Sequence, residues 1–368
     1  MNRLKTYVHV SLFVYASILA LPLLMSVLDL DSNEDVGEKR SLESYSNIDF
    51  SDLRSFGDQF ERVYRDRFTF RSAIIRESSL FLYNVFGVIR NELVIVGKEG
   101  QLFFGDQAER RDIAGVQFEP DRLKMAQSVL NDRLAHAAEL SSTYLLLIVP
   151  NKSTALADFL PPPFVLMARR RIHQLTELLE KDAFPIVYTE KMLRDSEFEP
   201  SATYFKLDTH WNQRGAYVVA KFIAAHLKVD PPEVLGIQNE QASDGDLAVA
   251  AAIVSQYREM TSVYLLEQRS VQDYELSDRL TQEYGETVWY HKSVKPNGKR
   301  VVFLCDSFCG PLRRHLLGLD IEALVVIRRF MDCKLLSKFK PDHIIQILVE
   351  RRLHDPLDLD QNCMASRE

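Results

Sequence analysis

Two hydrophobic patterns alternate along most of this chain, one with helical spacing and one of short unbroken apolar runs, and both follow an opening stretch of a third kind. From Tyr7 to Leu28 there is no Asp, Glu, Lys or Arg among residues dense in Leu, Val, Ile, Phe and Ala. At roughly 20 residues such a stretch is long enough to cross a hydrocarbon core, and it predicts an N-terminal transmembrane helix. Arg3 and Lys5 precede it, while Asp29, Asp31, Glu34 and Asp35 follow it. The basic end stays cytoplasmic and the remainder lies beyond the membrane, which in a Gram-negative cell is the periplasm. The expected location is therefore the bacterial inner membrane, single-pass. A cleaved signal peptide competes with this reading, but its apolar core runs only about 7–15 residues and ends at a small-x-small site, which this segment does not place.

Residues 29–50 break every apolar period with Asn, Ser, Asp and Glu and read as a linker. Between 51 and 90, Phe56, Phe60, Tyr64, Ile74, Ile75, Leu82, Val85 and Phe86 recur at helical spacing. They predict two helices broken near Asp66-Arg67-Phe68-Thr69-Phe70-Arg71. Leu93 to Val96 and Leu102 to Phe104, around Gly97-Lys98-Glu99-Gly100, suit a β-hairpin. Then helix and buried strand alternate. A helix near 120–140 leads into Tyr144 to Val149, one near 167–182 into Ile186 to Tyr188, and one near 212–227 into a less regular stretch over 228–295. The alternation resumes with Arg300 to Leu304, a helix from about 309, Ala323 to Ile327, a short helix after Asp332, and His343 to Val349. Unbroken apolar runs mark parallel strands covered on both faces. The predicted architecture is α/β, a mostly parallel sheet flanked by helices, with anchor 1–28, linker 29–50, one domain over 51–356 carrying an insertion at about 228–295, and a polar tail 357–368.

Composition narrows the function classes. With 46% hydrophobic and 26% charged residues, the chain supports a sizeable core and is not disordered throughout. Its 45 Lys plus Arg against 52 Asp plus Glu give a net charge of −7, and no basic run exceeds Arg169-Arg170-Arg171. No nucleic-acid partner is expected. Cys305, Cys309, Cys333 and Cys363 lack metal-site spacing. They either pair in an oxidising compartment, with unreadable connectivity, or act as small buried residues and one tail thiol.

In open parallel sheets, working residues gather at the carboxyl ends of strands. The run Val301-Val302-Phe303-Leu304 passes through Cys305-Asp306 to Ser307, at the mouth of a helix whose N–H groups can stabilise an oxyanion. The second reactive segment is Tyr204-Phe205-Lys206-Leu207-Asp208-Thr209-His210-Trp211-Asn212. In an extended stretch residues i and i+2 share a side, so Asp208 can hold the His210 imidazole, which then takes the proton of Ser307. Each piece alone has a plainer reading: a Ser after a strand is usually an N-cap, and Asp-x-His is usually a surface turn or part of a metal site. Their occurrence together in one α/β chain carries the case.

These residues resemble the paired motifs of the alginate O-acetyltransferase AlgX/AlgJ family, an SGNH-hydrolase-like class in which Asp-x-His precedes the serine. The resemblance rests on Asp208 to Asn212 with Gly215-Ala216, and on Asp306-Ser307-Phe308. It extends to Asp66-Arg67-Phe68 through Arg71, Val96 to Phe103, Pro150-Asn151-Lys152, Gly245-Asp246-Leu247, and Lys340-Pro341-Asp342 with Glu350-Arg351. Two departures stand out: Cys305 occupies the place of the family's Gly before Asp-Ser, and Gly100-Gln101-Leu102-Phe103 replaces an aromatic-rich block. The single-domain, anchored plan is closer to AlgJ. The resemblance implies a periplasmic polysaccharide O-acetyltransferase with Asp208, His210 and Ser307 as catalytic residues. It also implies an exported polysaccharide as acceptor, a membrane-bound O-acyltransferase as acetyl donor, and no metal or organic cofactor.

Other residues have two readings each. Lys152 can contact an anionic sugar or acyl oxygen, or be a solvated lysine. Tyr204 and Trp211 can stack on a sugar or wall the triad, and Arg313, beside Arg314 and His315, can attract an acidic polymer or form a wet helix face. The rival functions are a deacetylase using the same triad with water, a non-catalytic anchored subunit, and a metal-dependent hydrolase built on Asp208 and His210.

Overall fold

The structure is a computed structural model that describes residues 2–28, 42–49, 51, 54–295, 298–327 and 333–354. Most of the expected linker, the tail over 357–368, Cys363 and the stretch around Asp332 lie outside the described residues. The chain divides into two compact units, Met1–Asn91 with Ala248–Tyr257, and Glu92–Leu247 with Arg258–Glu368.

In the first unit, Asn2–Val27 forms one helix of 26 residues, whose described side chains include exposed Tyr7, Val10, Leu12, Phe13 and Tyr15. Parts of it lie outside the described side chains, and among the described residues no helix is long and apolar enough to cross a membrane. The transmembrane reading therefore rests on the sequence. Helices follow at Phe56–Arg67 and Arg71–Phe86, broken where the aromatic spacing predicts. At that break Asp66 is buried and its Oδ2 accepts the Glu43 N–H at 3.1 Å, while Arg67 Nε donates to Glu43 O at 2.9 Å.

The second unit is built on strands β1 (Val94–Val96), β2 (Leu102–Phe104), β3 (Thr143–Val149), β4 (Ile186–Tyr188), β5 (Val234–Ser243), β6 (Glu259–Leu266), β7 (Ser270–Asp273), β8 (Val288–Ser293), β9 (Lys299–Cys305), β10 (Ile321–Ile327) and β11 (His343–Val349). The expected hairpin is β1 and β2, paired antiparallel. Seven strands form one sheet in the order β4-β3-β11-β9-β10-β8-β7. The first five run parallel, and β8 and β7 extend them antiparallel. Here the expectation of an insertion over 228–295 is corrected. Only β5 and β6 stand apart as a two-stranded ribbon, whereas β7 and β8 complete the main sheet.

The reason the parallel strands read as unbroken apolar runs is visible in their alternation. Leu145, Leu147, Val149, Val301, Phe303, Ile345 and Ile347 pack on one face, and Tyr144, Leu146, Ile148, Val302, Leu304, Ile344 and Leu348 on the other. Both faces are covered, the first by helices Gln213–Leu227 and Cys309–Leu316, the second by Pro120–Glu139 and Arg171–Lys181. Each such side chain contributes about 1.5–3 kcal/mol by leaving water, which makes the centre of the sheet a rigid base for the loops at its carboxyl edge.

Candidate active site

At the carboxyl end of β9 the chain turns sharply into helix Cys309–Leu316. Val301 through Asp306 are buried and Phe308 and Cys309 are buried again, leaving Ser307 exposed between them. Asp306 holds the turn: its Oδ1 accepts Phe308 N–H at 3.0 Å and its Oδ2 accepts Val349 N–H at 2.8 Å, at the end of the adjacent β11. Cys309 N–H and Gly310 N–H donate to Asp306 O and Ser307 O. Among the described residues the Ser307 N–H is the amide of this turn left without an intramolecular acceptor. Cys305 and Cys309 form a disulfide across the turn, both fully buried. The two sequence readings of these cysteines thus merge, since the pair bonds and packs at once, and the position of the missing Gly carries a staple.

His210 reaches Ser307 from a tight loop closed by Phe205 N–H to His210 O at 3.1 Å and Asn212 N–H to Thr203 O at 3.0 Å. Asn212 then caps helix Gln213–Leu227, its Oδ1 accepting from Arg214 and Gly215 N–H. A Cβ at Gly215 would lie 2.5 Å from Thr203 O, so glycine permits the helix start to press on the loop. Asp208 and His210 are not on an extended strand, as the i, i+2 argument assumes. Asp208 Oδ1 accepts the His210 backbone N–H at 2.9 Å, the local turn that Asp residues favour. The same oxygen lies 2.6 Å from His210 Nδ1, and His210 Nε2 lies 2.7 Å from Ser307 Oγ. The three residues form a continuous hydrogen-bonded chain ending at an exposed hydroxyl.

Asp246 completes the support, and sequence reasoning noticed it only as part of a resembling block. Its N–H donates to Asp208 Oδ2 at 2.9 Å, and its carboxylate accepts Thr209 N–H at 2.8 Å and Thr209 Oγ–H at 2.7 Å. The preceding Gly245 packs so closely on Leu207 O that any Cβ would collide with it. Burial pushes Asp208 up, but the His210 hydrogen bond and charge, with the two backbone N–H donors, outweigh it and hold the carboxyl down to about 2. Among the described residues, Asp208, His210 and Asp246 are also a group whose ligand-type atoms lie within 4.8 Å of one another. All four carboxylate oxygens of that cluster already accept hydrogen bonds from the loop itself.

The residues expected to touch substrate are placed elsewhere. Lys152 is 1% exposed and donates to Leu102 O, Lys206 O and Asp208 O, so it is neither solvated nor open to a sugar. Burial brings its ammonium down to about 7 against the pull of Glu259, Asp208, Asp246 and Glu109. Tyr204 is buried with its hydroxyl donating to Pro150 O at 2.7 Å, and Trp211 is fully buried with Nε1–H donating to Phe308 O at 2.8 Å. Neither offers a face for stacking. Trp211 walls the site, since Phe308 lies 5.6 Å from Trp211 and 4.8 Å from His210, ring to ring. Arg313 is half-buried, bonded to Gln272 at 2.8 Å and stacked 4.5 Å over Trp289. These contacts tie it to β7 and β8.

The SGNH hydrolase-like acetyltransferase domain typified by AlgX matches residues 94–288, just over half of the chain. That span includes Asp208, His210 and Asp246, with Ser307 beyond it. Among solved structures, a DHHW family protein from Eubacterium siraeum is similar at a TM-score of 0.53 and 14% identity, covering 73% of this chain and 98% of its own. Bacillus cereus PatB1 is similar at 0.50 and 13% identity, over 71% and 96%. The O-acetyltransferase domain of Pseudomonas putida AlgJ gives 0.45 and 14% identity, over 75% and 95%. No curated protein sequence is detectably similar.

Proposed function

The chain belongs to the AlgX family of SGNH hydrolase-like acetyltransferase domains, and on that premise we propose that it is a polysaccharide O-acetyltransferase acting through an acetyl-serine. The observation that carries the proposal is the Asp208–His210–Ser307 hydrogen-bonded chain at a strand-to-helix turn. Asp208 holds His210 in the tautomer with hydrogen on Nδ1, which leaves the Nε2 lone pair facing the Ser307 hydroxyl. Ser307 Oγ attacks the acetyl carbonyl of the donor while Nε2 takes its proton, and the Ser307 N–H stabilises the oxyanion. The intermediate collapses with expulsion of the donor group, which receives that proton. A sugar hydroxyl then gives its proton to Nε2 and attacks the acetyl-serine, and as the second intermediate breaks its bond to Ser307 Oγ, Nε2 returns that proton to Oγ.

Acetyl-CoA is cytoplasmic, so a domain on the far side of the membrane needs acetyl delivered across it. The uncharged stretch Tyr7 to Leu28 and the exposed apolar side chains of its helix support an inner-membrane anchor with a periplasmic domain. A membrane-bound O-acyltransferase is the proposed donor and an exported polysaccharide the acceptor. The exposure of Ser307 also admits water, so slow acetate release without acceptor is expected as a side reaction.

Intact-mass analysis of the full-length chain after incubation with 4-nitrophenyl acetate tests the proposal. Gain of one acetyl group on the peptide holding Ser307, absent in Ser307→Ala and discharged by a glycan acceptor, is the expected result. Equal labelling of both proteins, or none of either, overturns it.

A further inference from the structure

The chemistry above leaves one enclosed charge beside the triad without a part. Lys152 opens the short helix after β3, and its side chain is wholly inside the protein. Its Nζ lies 2.6 Å from Leu102 O, 2.8 Å from Lys206 O and 3.2 Å from Asp208 O, with the Phe103 ring centroid 5.3 Å away. An ammonium has three N–H donors, and each meets a carbonyl here. A neutral amine would turn its lone pair on one of them.

Two of the three acceptors, Lys206 O and Asp208 O, belong to the loop that carries the Asp-His pair, and the third belongs to β2. Leu102 N–H also donates to Lys206 O at 2.9 Å, so loop and strand meet at the lysine. Further along, Glu259 of β6 accepts the Lys206 and Leu207 N–H groups. The charged groups that face Lys152 are acidic: Glu259 from β6, Asp208 and Asp246 from the site, and Glu109 from helix Gln107–Ile113. Arg351 lies 5.6 Å over Phe308, whose ring lies beside His210.

We propose that Lys152 is the positioning residue of the catalytic pair, clamping the Asp208 loop to β2 and supplying the positive charge that offsets Asp208 and Asp246 behind His210. The inference rests on the Ser307 mechanism and deepens it. Two carboxylates close to an imidazole favour its protonated form, in which Nε2 can take no proton from Ser307. A buried cation behind them weakens that pull. Burial weakens the hold of Lys152 on its proton against the pull of these carboxylates, while the three carbonyls favour the ammonium, which alone gives each of them a donor.

The test compares full-length wild type, Ser307→Ala, Lys152→Met and Lys152→Gln in the hydrolysis of 4-nitrophenyl acetate across pH 5 to 9. Lys152→Met matches the length of the stem without charge. Lys152→Gln keeps two N–H donors for the carbonyls, in case the first variant does not fold. The expected result is a kcat lowered at least about tenfold with KM changed less than about twofold, and a midpoint of the rising pH limb moved to higher pH by about half a unit or more. A structural clamp alone lowers kcat without moving the midpoint. With wild type active and Ser307-dependent, an unmoved midpoint in the folded variants sinks the inference, as does a raised KM at unchanged kcat. Activity that survives Ser307→Ala sinks the underlying mechanism instead, and this inference with it.

Discussion

Asp246 holds Asp208 with its main chain and the residue after Asp208 with its side chain. The Asp246 N–H is 2.9 Å from Asp208 Oδ2, while its two carboxylate oxygens take the N–H and hydroxyl of Thr209. The backbone bond survives any substitution that preserves the chain path, whereas the Thr209 bonds do not. Asp246→Ala is therefore expected to lower kcat for an activated acetyl ester by about tenfold, the scale of a loosened catalytic geometry, with KM little changed. Asp246→Asn still offers one oxygen to Thr209 and should lose less. Equal activity of Asp246→Ala and wild type would show that Thr209 needs no anchor.

Asp208→Asn tests the orientation of the imidazole. An amide nitrogen facing Nδ1 selects the wrong tautomer, and in a triad of this kind the loss is about 10⁴-fold in kcat. Because the Asp208 carboxyl is held down to about 2, it stays ionised across any working pH. A rate limb between pH 5 and 8 must then belong to another group. The folded carboxyl binds its proton less tightly than an unfolded Asp, so its stabilising contribution is full above pH 4 and is lost as pH falls through about 2. Calorimetry of wild type and Asp208→Asn between pH 2 and 5 should show the two transitions converging at the acid end.

What the sequence made legible follows the strength of local pattern. The parallel strands announce themselves because both faces of β3, β9 and β11 are covered, and Ser307 and His210 stand in short motifs whose order along the chain is itself informative. Asp246 was hidden because it lies far along the chain from Asp208, in a stretch without period. The strands β7 and β8 were hidden for a related reason: they are short and antiparallel, and half-buried Tyr290 and exposed Lys292 interrupt the apolar pattern. For Lys152, Tyr204 and Trp211 a ligand contact and a plainer role both stood open, because residue type reports chemistry and not burial. A buried lysine among carbonyls and a solvated one are the same letter.

Glu109 couples stability to neutral pH. It is fully buried, accepts Ser153 Oγ–H at 2.6 Å and lies 3.8 Å from Arg351. Burial raises its carboxyl to about 7 despite Arg351 and the serine. A folded state that binds the proton more tightly than the unfolded chain is favoured below the ordinary Glu range and loses that advantage as pH rises through about 7. The difference corresponds to about 3 kcal/mol over the full range. Thermal midpoints of wild type should fall between pH 5 and pH 8, and the slope should be smaller in Glu109→Gln. Parallel pH curves for the two proteins would assign the dependence elsewhere.

The Cys305–Cys309 staple bears on both stability and reactivity, and the two can be separated. Closing a loop this short restricts the unfolded chain by about 2 kcal/mol, a modest share of the stability of a core this size. The larger consequence lies at Ser307, which sits midway along the bridged segment between two buried sulfurs. With the bridge removed, Asp306 still bonds Phe308 and Val349, so the turn should persist in a looser form. The double variant Cys305→Ala, Cys309→Ala is expected to stay folded, with a thermal midpoint a few degrees lower, and to acetylate Ser307 more slowly by about tenfold. Peptide mass mapping without reductant should find Cys305 and Cys309 joined in the wild type. Free thiols at both positions in protein from an oxidising compartment, or an acetylation rate unchanged by the double substitution, would separate the staple from the chemistry of the serine it encloses.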